Sequence, residues 1–342
     1  MVLSPQQGSP IFSPAAITIP GDPQRLPTTL SCGDRIGNIL VRFGWRRRQY
    51  RTEPALYRIG SPTPESPVIV TANYTLTVDM VRAACAGLDL WVLVLDTRGI
   101  NVWCAAGKGT FGTGEIARMV KEARLDKIVK HRRLIVPQLG APGVSAHHVK
   151  QLTGFDVVYG PVRIADLKGF LAADMRANDD MRRVRFGIGD RVAVVPIELV
   201  LSWRILLAAF AAGVWLWALH AAPFWAAVVP LIGAVLMGAV VVPLALPLFP
   251  FRSFVLKGLA GGVLWALLMI ALFPADLITA ARHLTLLPPV VAFLVFNFTG
   301  STAFTSPSGV KEEIRRYTWL LIIWFAVGVI LYIVDMARGW LS

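Results

Sequence analysis

Two hydrophobic patterns divide the chain. Between Pro67 and Ala173, apolar runs of about four to eight residues alternate with stretches whose apolar positions recur at helical spacing. "PVIVTANY" reads as strand, "TLTVDMVRAACAGL" as helix, "LWVLVLDT" as strand and "GTGEIARMVKEARL" as helix. The order then repeats with "RRLIVPQLG", "GVSAHHVKQLTG", "FDVVYGPV" and "IADLKGFLAA". Strands that alternate with helices predict an α/β fold with a Rossmann-like, mostly parallel sheet covered by helices.

Beyond about Val192 the pattern changes to apolar stretches of about 20 residues, the length that crosses a bilayer core. Five spans are predicted: Val200 to Leu219, Phe224 to Leu246, Phe254 to Phe273, Leu284 to Phe304 and Trp319 to Val334. The expected organisation is a proline-rich, basic leader (1–54), an α/β domain (55–191) and an all-α transmembrane domain (192–342). The leader lacks the continuous apolar core of a signal peptide. Its run "RFGWRRRQYR" (Arg42 to Arg51) has no assigned role.

The net charge of +13 fits membrane topology. Arg252 and Lys257 fall in one predicted loop and Lys311, Arg315 and Arg316 in another two spans later, so the positive-inside rule makes both cytoplasmic. His220, Arg282 and His283 form a lighter load in the intervening turns. The α/β domain is then cytoplasmic, the C-terminus lies outside, and the protein is expected in the inner (cytoplasmic) membrane as a multi-pass protein. Trp203, Trp225, Trp319 and Trp340 stand near span ends, where indoles favour the interface. No zinc-finger spacing or aromatic-interleaved basic motif points to nucleic acid.

In a parallel sheet, ligands bind outside the carboxyl ends of the strands. Here those ends are Thr71 to Thr75, Asp96 to Lys108, Pro137 to Gly143 and Tyr159 to Arg163, all rich in turn-forming or small residues that let backbone approach a large ligand. The second contains "NVWCAAGK" and one of only three cysteines. The Walker pattern fails there, since Val102 and Gly109 stand where Gly and Ser or Thr are needed. The G-x-G-x-x-G of Gly107 to Gly112 does not directly follow the strand, as a dinucleotide site requires.

If Asn101 caps a short helix, Cys104 occupies its third position, where unpaired amides and the helix dipole favour thiolate over thiol. Lys108 adds positive charge one turn later. Trp103, Ala105, Ala106 and Gly107 then offer a small, flat surface that a planar macrocycle could approach. No histidine stands nearby for acyl transfer. Cys85 reads as a buried helix residue, Cys32 carries no functional reading, and the three cysteines lack iron–sulfur or zinc spacing.

"GINVWCAAGKGTFGTGE" resembles the cap-helix motif of the mercury-methylating corrinoid protein family, HgcA, whose soluble domain is similar to that of the corrinoid iron–sulfur protein of the acetyl-CoA pathway. "VTANYTLTVD", "LIVPQLGAPGV", "YGPVRIADL" and "FNFTGSTAFTSPSGVKEEI" resemble it in the same order. The resemblance implies a corrinoid-dependent methyltransferase that passes methyl from cobalamin to Hg(II), with Cys104 sulfur as the lower axial ligand of cobalt (base-off, Cys-on). Thiolate donation opposite the methyl group eases its transfer, formally as a carbanion, to a soft acceptor. Absence of the D-x-H-x-x-G pattern around His131, His147 and His148 agrees with a lower thiolate.

The cofactor-binding set implied is Asn101, Val102, Trp103, Cys104, Ala105, Ala106, Gly107 and Lys108, with Thr71, Asn73, Thr75, Asp96, Thr97, Gln138, Gly140 and Gly160 from the strand-end loops. The implied partners are a ferredoxin-like 4Fe-4S reductant (HgcB-like), a methyl donor of the folate type, Hg(II) and the membrane. A corrinoid methyl carrier with another acceptor is one alternative. Another is a membrane transporter with a cytoplasmic regulatory domain, to which the polar Asn297, Thr299, Ser301 and Thr302 in the fourth span would supply a path.

Overall fold

The structure is a computed structural model that describes residues 23–47, 49–219, 222–273, 275–298 and 307–341. Two compact units make up the chain, Met1–Val184 and Arg185–Ser342.

The first unit is α/β. Its strands are β1 (Gln24–Arg25), β2 (Ala55–Ile59), β3 (Val68–Ala72), β4 (Leu90–Leu95), β5 (Arg133–Val136) and β6 (Asp156–Tyr159), in the sheet order β1-β2-β4-β3-β5-β6. β4, β3, β5 and β6 are mutually parallel, and β2 pairs antiparallel with β4, from Ala55 opposite Val94 to Ile59 opposite Leu90. The mostly parallel sheet expected from the alternating pattern is present. β1 and β2 lie upstream of the first strand expected from that pattern: β1 has only two residues, and no helix separates β2 from β3.

Every residue of β3 and β4 is buried, as in strands covered on both faces. Val68, Val70, Ala72, Leu93 and Leu95 pack on one face with Phe111, Ile116, Val149 and Phe155, while Ile69, Val92 and Val94 pack on the other with Val78, Val81 and Phe170. The first face is covered by α3 (Val102–Gly107), α4 (Thr113–Glu122) and α6 (Ala146–Thr153); a short α5 (Leu125–Ile128) follows α4. α2 (Thr75–Ala84) and α7 (Leu167–Ala172) cover the second. Cys85 is fully buried, but it ends α2 as its C-cap rather than lying inside it.

Between β1 and β2, α1 (Cys32–Arg42) opens with a capping box in which Ser31 Oγ accepts from Asp34 N and Asp34 accepts from Ser31 N. It is pinned to α2 by Arg82, which pairs with Asp34 at 2.6 Å and Asp79 at 2.8 Å, and by Asn38 Nδ2 donating to Asp79 at 2.9 Å.

In the second unit, four helices are long and apolar enough to cross a membrane: Phe224–Leu244, Phe254–Leu272, Leu277–Asn297 and Gly309–Val334. A fifth span is possible only as the pair Ile188–Leu201 and Trp203–Ala218, bent by 58°. The span expected from Val200 to Leu219 therefore breaks at Ser202. Three further expectations are corrected. Lys257 is not in a loop but on the helix Phe254–Leu272, whose cap is Ser253. Arg282 and His283 are not in a turn but buried within Leu277–Asn297, because Asp276 caps that helix early, accepting from Thr279 N at 2.9 Å. Lys311, Arg315 and Arg316 are not in a loop but on a helix running from Pro307 to Leu341. An apolar window marks the length a bilayer can cover, whereas the helix continues through its polar flanks. His220, Thr299, Gly300, Ser301, Thr302 and Phe304 lie outside the described residues.

Candidate functional site

The parallel register of β3 to β6 brings all four of their carboxyl ends to one edge of the sheet. Chain order in the parallel part is second, first, third, fourth, so the topological switch lies between β3 and β5. Ligand crevices of doubly wound sheets open at such a switch. The loops bordering it are Asn73–Tyr74 after β3 and the 3-10 turn Gln138–Gly143 after β5.

One buried side chain organises this edge. Asn73 Oδ1 accepts hydrogen bonds from Thr97 N (3.0 Å), Thr97 Oγ1 (2.8 Å) and Gly99 N (2.9 Å), while its Nδ2 donates to Asp96 Oδ1 at 3.1 Å. The chain leaving β4 is thus tied to the end of β3. Arg98 and Gly99 follow in the left-handed region at φ 58° and 72°. The non-glycine of the pair is held there by Arg98 N donating to Asp96 Oδ1 at 3.0 Å. The single Thr97 hydroxyl hydrogen is shared between Asn73 Oδ1 and Ile100 O, which lies 2.6 Å away, and Glu115 accepts from Asp96 N at 2.9 Å.

This loop delivers Asn101 as the N-cap of α3, with Oδ1 accepting from Cys104 N at 2.9 Å. Cys104 is a free, partly exposed thiol. Its neighbours divide by helical phase. Val102, Ala105 and Ala106 are buried in the core, whereas Gly107 and Lys108 are exposed and Trp103 is half-buried. The alanines therefore do not form the flat surface expected around the sulfur; Trp103, Gly107 and Lys108 remain beside it on the outer side. A side chain at Gly107 would meet nothing within 4 Å.

α3 rests on the 3-10 turn after β5 through glycine. A Cβ on Gly143 would stand 2.2 Å from Phe111 O and 3.0 Å from Ala106 O, and one on Gly140 would stand 2.5 Å from the ring of fully buried Phe111. Gln138 Oε1 is buried in that turn without a hydrogen-bond partner among the described residues, as is Thr71 Oγ1 at the end of β3. Thr75 shares a 3.2 Å hydroxyl contact with Thr52, and Gly160 packs on Ile135.

Asn73, Thr97 and Asp96 are thus linked to one another, and Asn101 to Cys104. Sequence reasoning missed Glu115 and Phe111, and placed Gly143 in a strand-end loop without giving it a role. Only Gly143 carried a signal, as a glycine in a strand-end turn. His131 lies just before β5, at the opposite edge from Cys104, and bonds Ser66 O at 2.8 Å. His147 is on α6 against Gln151. Among the described residues, no three His, Cys, Asp or Glu side chains gather into a metal site.

Residues 44–171 match the family model CdhD, the CO dehydrogenase/acetyl-CoA synthase delta subunit. The matched segment holds β2 to β6, the Asn73 network and Cys104. Curated relatives align over stretches of similar length. The acetyl-CoA decarbonylase/synthase complex subunit gamma of Methanopyrus kandleri is 36% identical over 127 residues, covering 36% of this chain and 27% of that protein. The same subunit from Archaeoglobus fulgidus is 32% identical over 127 residues, with the same coverage. The corrinoid/iron-sulfur protein large subunit of Moorella thermoacetica is 32% identical over 147 residues, covering 40% of this chain and 32% of that protein. The chain therefore spans about a quarter to a third of the length of these relatives, and its apolar second unit lies outside the matched family segment.

Proposed function

We propose that this chain is a membrane-held corrinoid methyltransferase in which Cys104 Sγ is the lower axial ligand of cobalamin cobalt and Hg(II) is the methyl acceptor. The observation that carries the reading is the free Cys104 thiol, held by the Asn101 cap over the sheet edge where four parallel strands end. The relative named for a corrinoid supports the cofactor class.

The residues fit such a group. A side chain at Gly107, three residues after Cys104 on α3, would enter open space, and the buried Gln138 Oε1 has spare acceptor capacity at the crevice. Cobalamin, when bound, supplies a cobalt–carbon bond whose methyl group can pass to a soft acceptor. Cys104 Sγ would hold the cobalt in place of the nucleotide base, and a thiolate donor would add electron density that a neutral imidazole does not. Asn101 fixes the Cys104 backbone, while Asn73, Thr97 and Asp96 fix the loop that carries both. The three cysteines lack cluster spacing, so a ferredoxin-like 4Fe-4S partner would supply the electrons that the cofactor needs after giving up methyl, and a folate-type donor would supply the methyl group.

The apolar unit holds the domain at the inner membrane. Glu313 accepts from Ser253 Oγ, Phe254 N and Val255 N, each at 3.1 Å. This contact brings the flanks carrying Arg252 and Lys311 to one end of the unit, which supports a common cytoplasmic side; with the bent pair Ile188–Leu201 and Trp203–Ala218 crossing as a fifth span, the corrinoid domain lies on that side too.

The test is the visible spectrum of the purified full chain with cobalamin, alongside mercury methylation. Wild type is expected to show a thiolate-ligated cobalt spectrum that Cys104→Ala loses together with methyl transfer. Methylation by Cys104→Ala at the wild-type rate would refute the axial-ligand role. Retained spectrum and methyl transfer to a different acceptor, with none to Hg(II), would leave a corrinoid carrier of another specificity.

The buried Arg282 and His283 inside an apolar helix favour one second reading, solute transport, since intramembrane ionisable groups commonly serve a path. Solute flux through the protein in liposomes would establish it.

A further inference from the structure

The basic run that the sequence left without a role follows directly from α1. One face of that helix is fixed inward: Val41 is 1% exposed, Gly37 lies against Tyr50, and Asn38 bonds Asp79. The opposite face is an apolar stripe at helical spacing that meets solvent. Ile36 is 52% exposed, Ile39 57%, Leu40 39% and Phe43 47%, and Trp45 just beyond is 65% exposed. An amphipathic helix ordinarily turns this stripe to the core. Here the Arg82 ion cluster and the Ser31 cap hold it outward.

The rim of the stripe is basic. Between Ser31 and Glu53 the sequence carries six arginines against two acids, and one of those acids, Asp34, is paired with Arg82. Arg35, Arg46, Arg47 and Arg51 are exposed. Arg46 bonds Gln49 and Arg47 stacks near Tyr74, so both stay beside the Phe43–Trp45 turn.

We propose that α1 and the Phe43–Trp45 turn form a docking surface for an anionic lipid bilayer. Aliphatic and aromatic side chains on one helix face, bordered by arginines, are the composition of helices that lie in the headgroup region. Arginine near an acidic leaflet contributes about 1 kcal/mol per residue. The same chain carries four or five helices fit to span a membrane, so a bilayer is present at high effective concentration. A rim of one sign suits a lipid surface better than the mixed charge of a protein interface. The proposal rests on the reading that the second unit crosses the membrane, and docking would restrain the first unit at that surface.

The experiment uses the full chain in nanodiscs containing phosphatidylglycerol, with a photoreactive diazirine amino acid placed in turn at Ile39, Leu268 and Leu152. Leu268 lies on an apolar helix and reports insertion; Leu152, on α6, is an equally exposed apolar control. Lipid adducts are expected at 268 and 39 and not at 152. Replacing Arg46 and Arg47 by Gln should weaken the adduct at 39 by about fivefold per arginine, as should an all-phosphatidylcholine disc. Adducts at 268 without any at 39 overturn the docking surface and spare the membrane reading; their absence at both overturns both. An adduct from 39 to a second copy, to residues 1–22 or to another protein also overturns it.

Discussion

Asn73 and Thr97 meet at the buried end of β3 and β4, where Asn73 Oδ1 takes both the backbone N–H of Thr97 at 3.0 Å and its hydroxyl at 2.8 Å. With Gly99 N at 2.9 Å, one carbonyl oxygen serves three donors. Asn73→Ala leaves these buried donors without that acceptor, at about 1–3 kcal/mol for each left unsatisfied. A lowered melting temperature and a changed alkylation rate at Cys104 are expected, because the same loop positions Asn101. Unchanged Cys104 reactivity would separate the network from the site.

Two glycines beside α3 should behave oppositely. Gly143→Ala places a methyl 2.2 Å from a backbone oxygen, so overpacking of about 1–3 kcal/mol or more is expected, read as a lower melting temperature. Gly107→Ala meets nothing within 4 Å, so the fold should be unaffected while cobalamin retention through gel filtration falls. Normal retention in Gly107→Ala would place the cofactor elsewhere.

Burial pushes the Cys85 thiol up from an ordinary 9.0 to about 11. The unfolded thiol therefore loses its proton first, and folded stability falls as pH rises from about 9 towards 11, by up to roughly 3 kcal/mol. Cys85→Ala should lack this component, seen as a shallower decline of melting temperature between about pH 8 and 11 than in wild type. Iodoacetamide should label Cys32 and Cys104 in the native protein and reach Cys85 only after denaturation.

Glu313 closes the start of the helix Phe254–Leu272 from a helix that begins more than fifty residues later. Glu313→Gln keeps the shape and removes the charge that favours a helix N-terminus, at about 0.3–2 kcal/mol. Detergent-solubilised variant should unfold at a lower temperature, while cobalt bound per chain stays unchanged.

Local chemistry determined much of this protein. The alternation of short apolar runs with helical periodicity specified the parallel α/β sheet, and Asn101 three residues before Cys104 specified the cap that the structure contains. Long apolar windows marked the second unit, because bilayer thickness is a length that sequence records directly. Periodicity shows which residues share a face, not what that face meets. Only the tertiary structure turned Ala105 and Ala106 into the core, set β2 antiparallel on β4 and left the α1 stripe in solvent. Only it joined Asn73 to Thr97 across 24 residues and Glu313 to Phe254 across 59. Such pairings depend on the path of the chain between the partners, which no local spacing encodes.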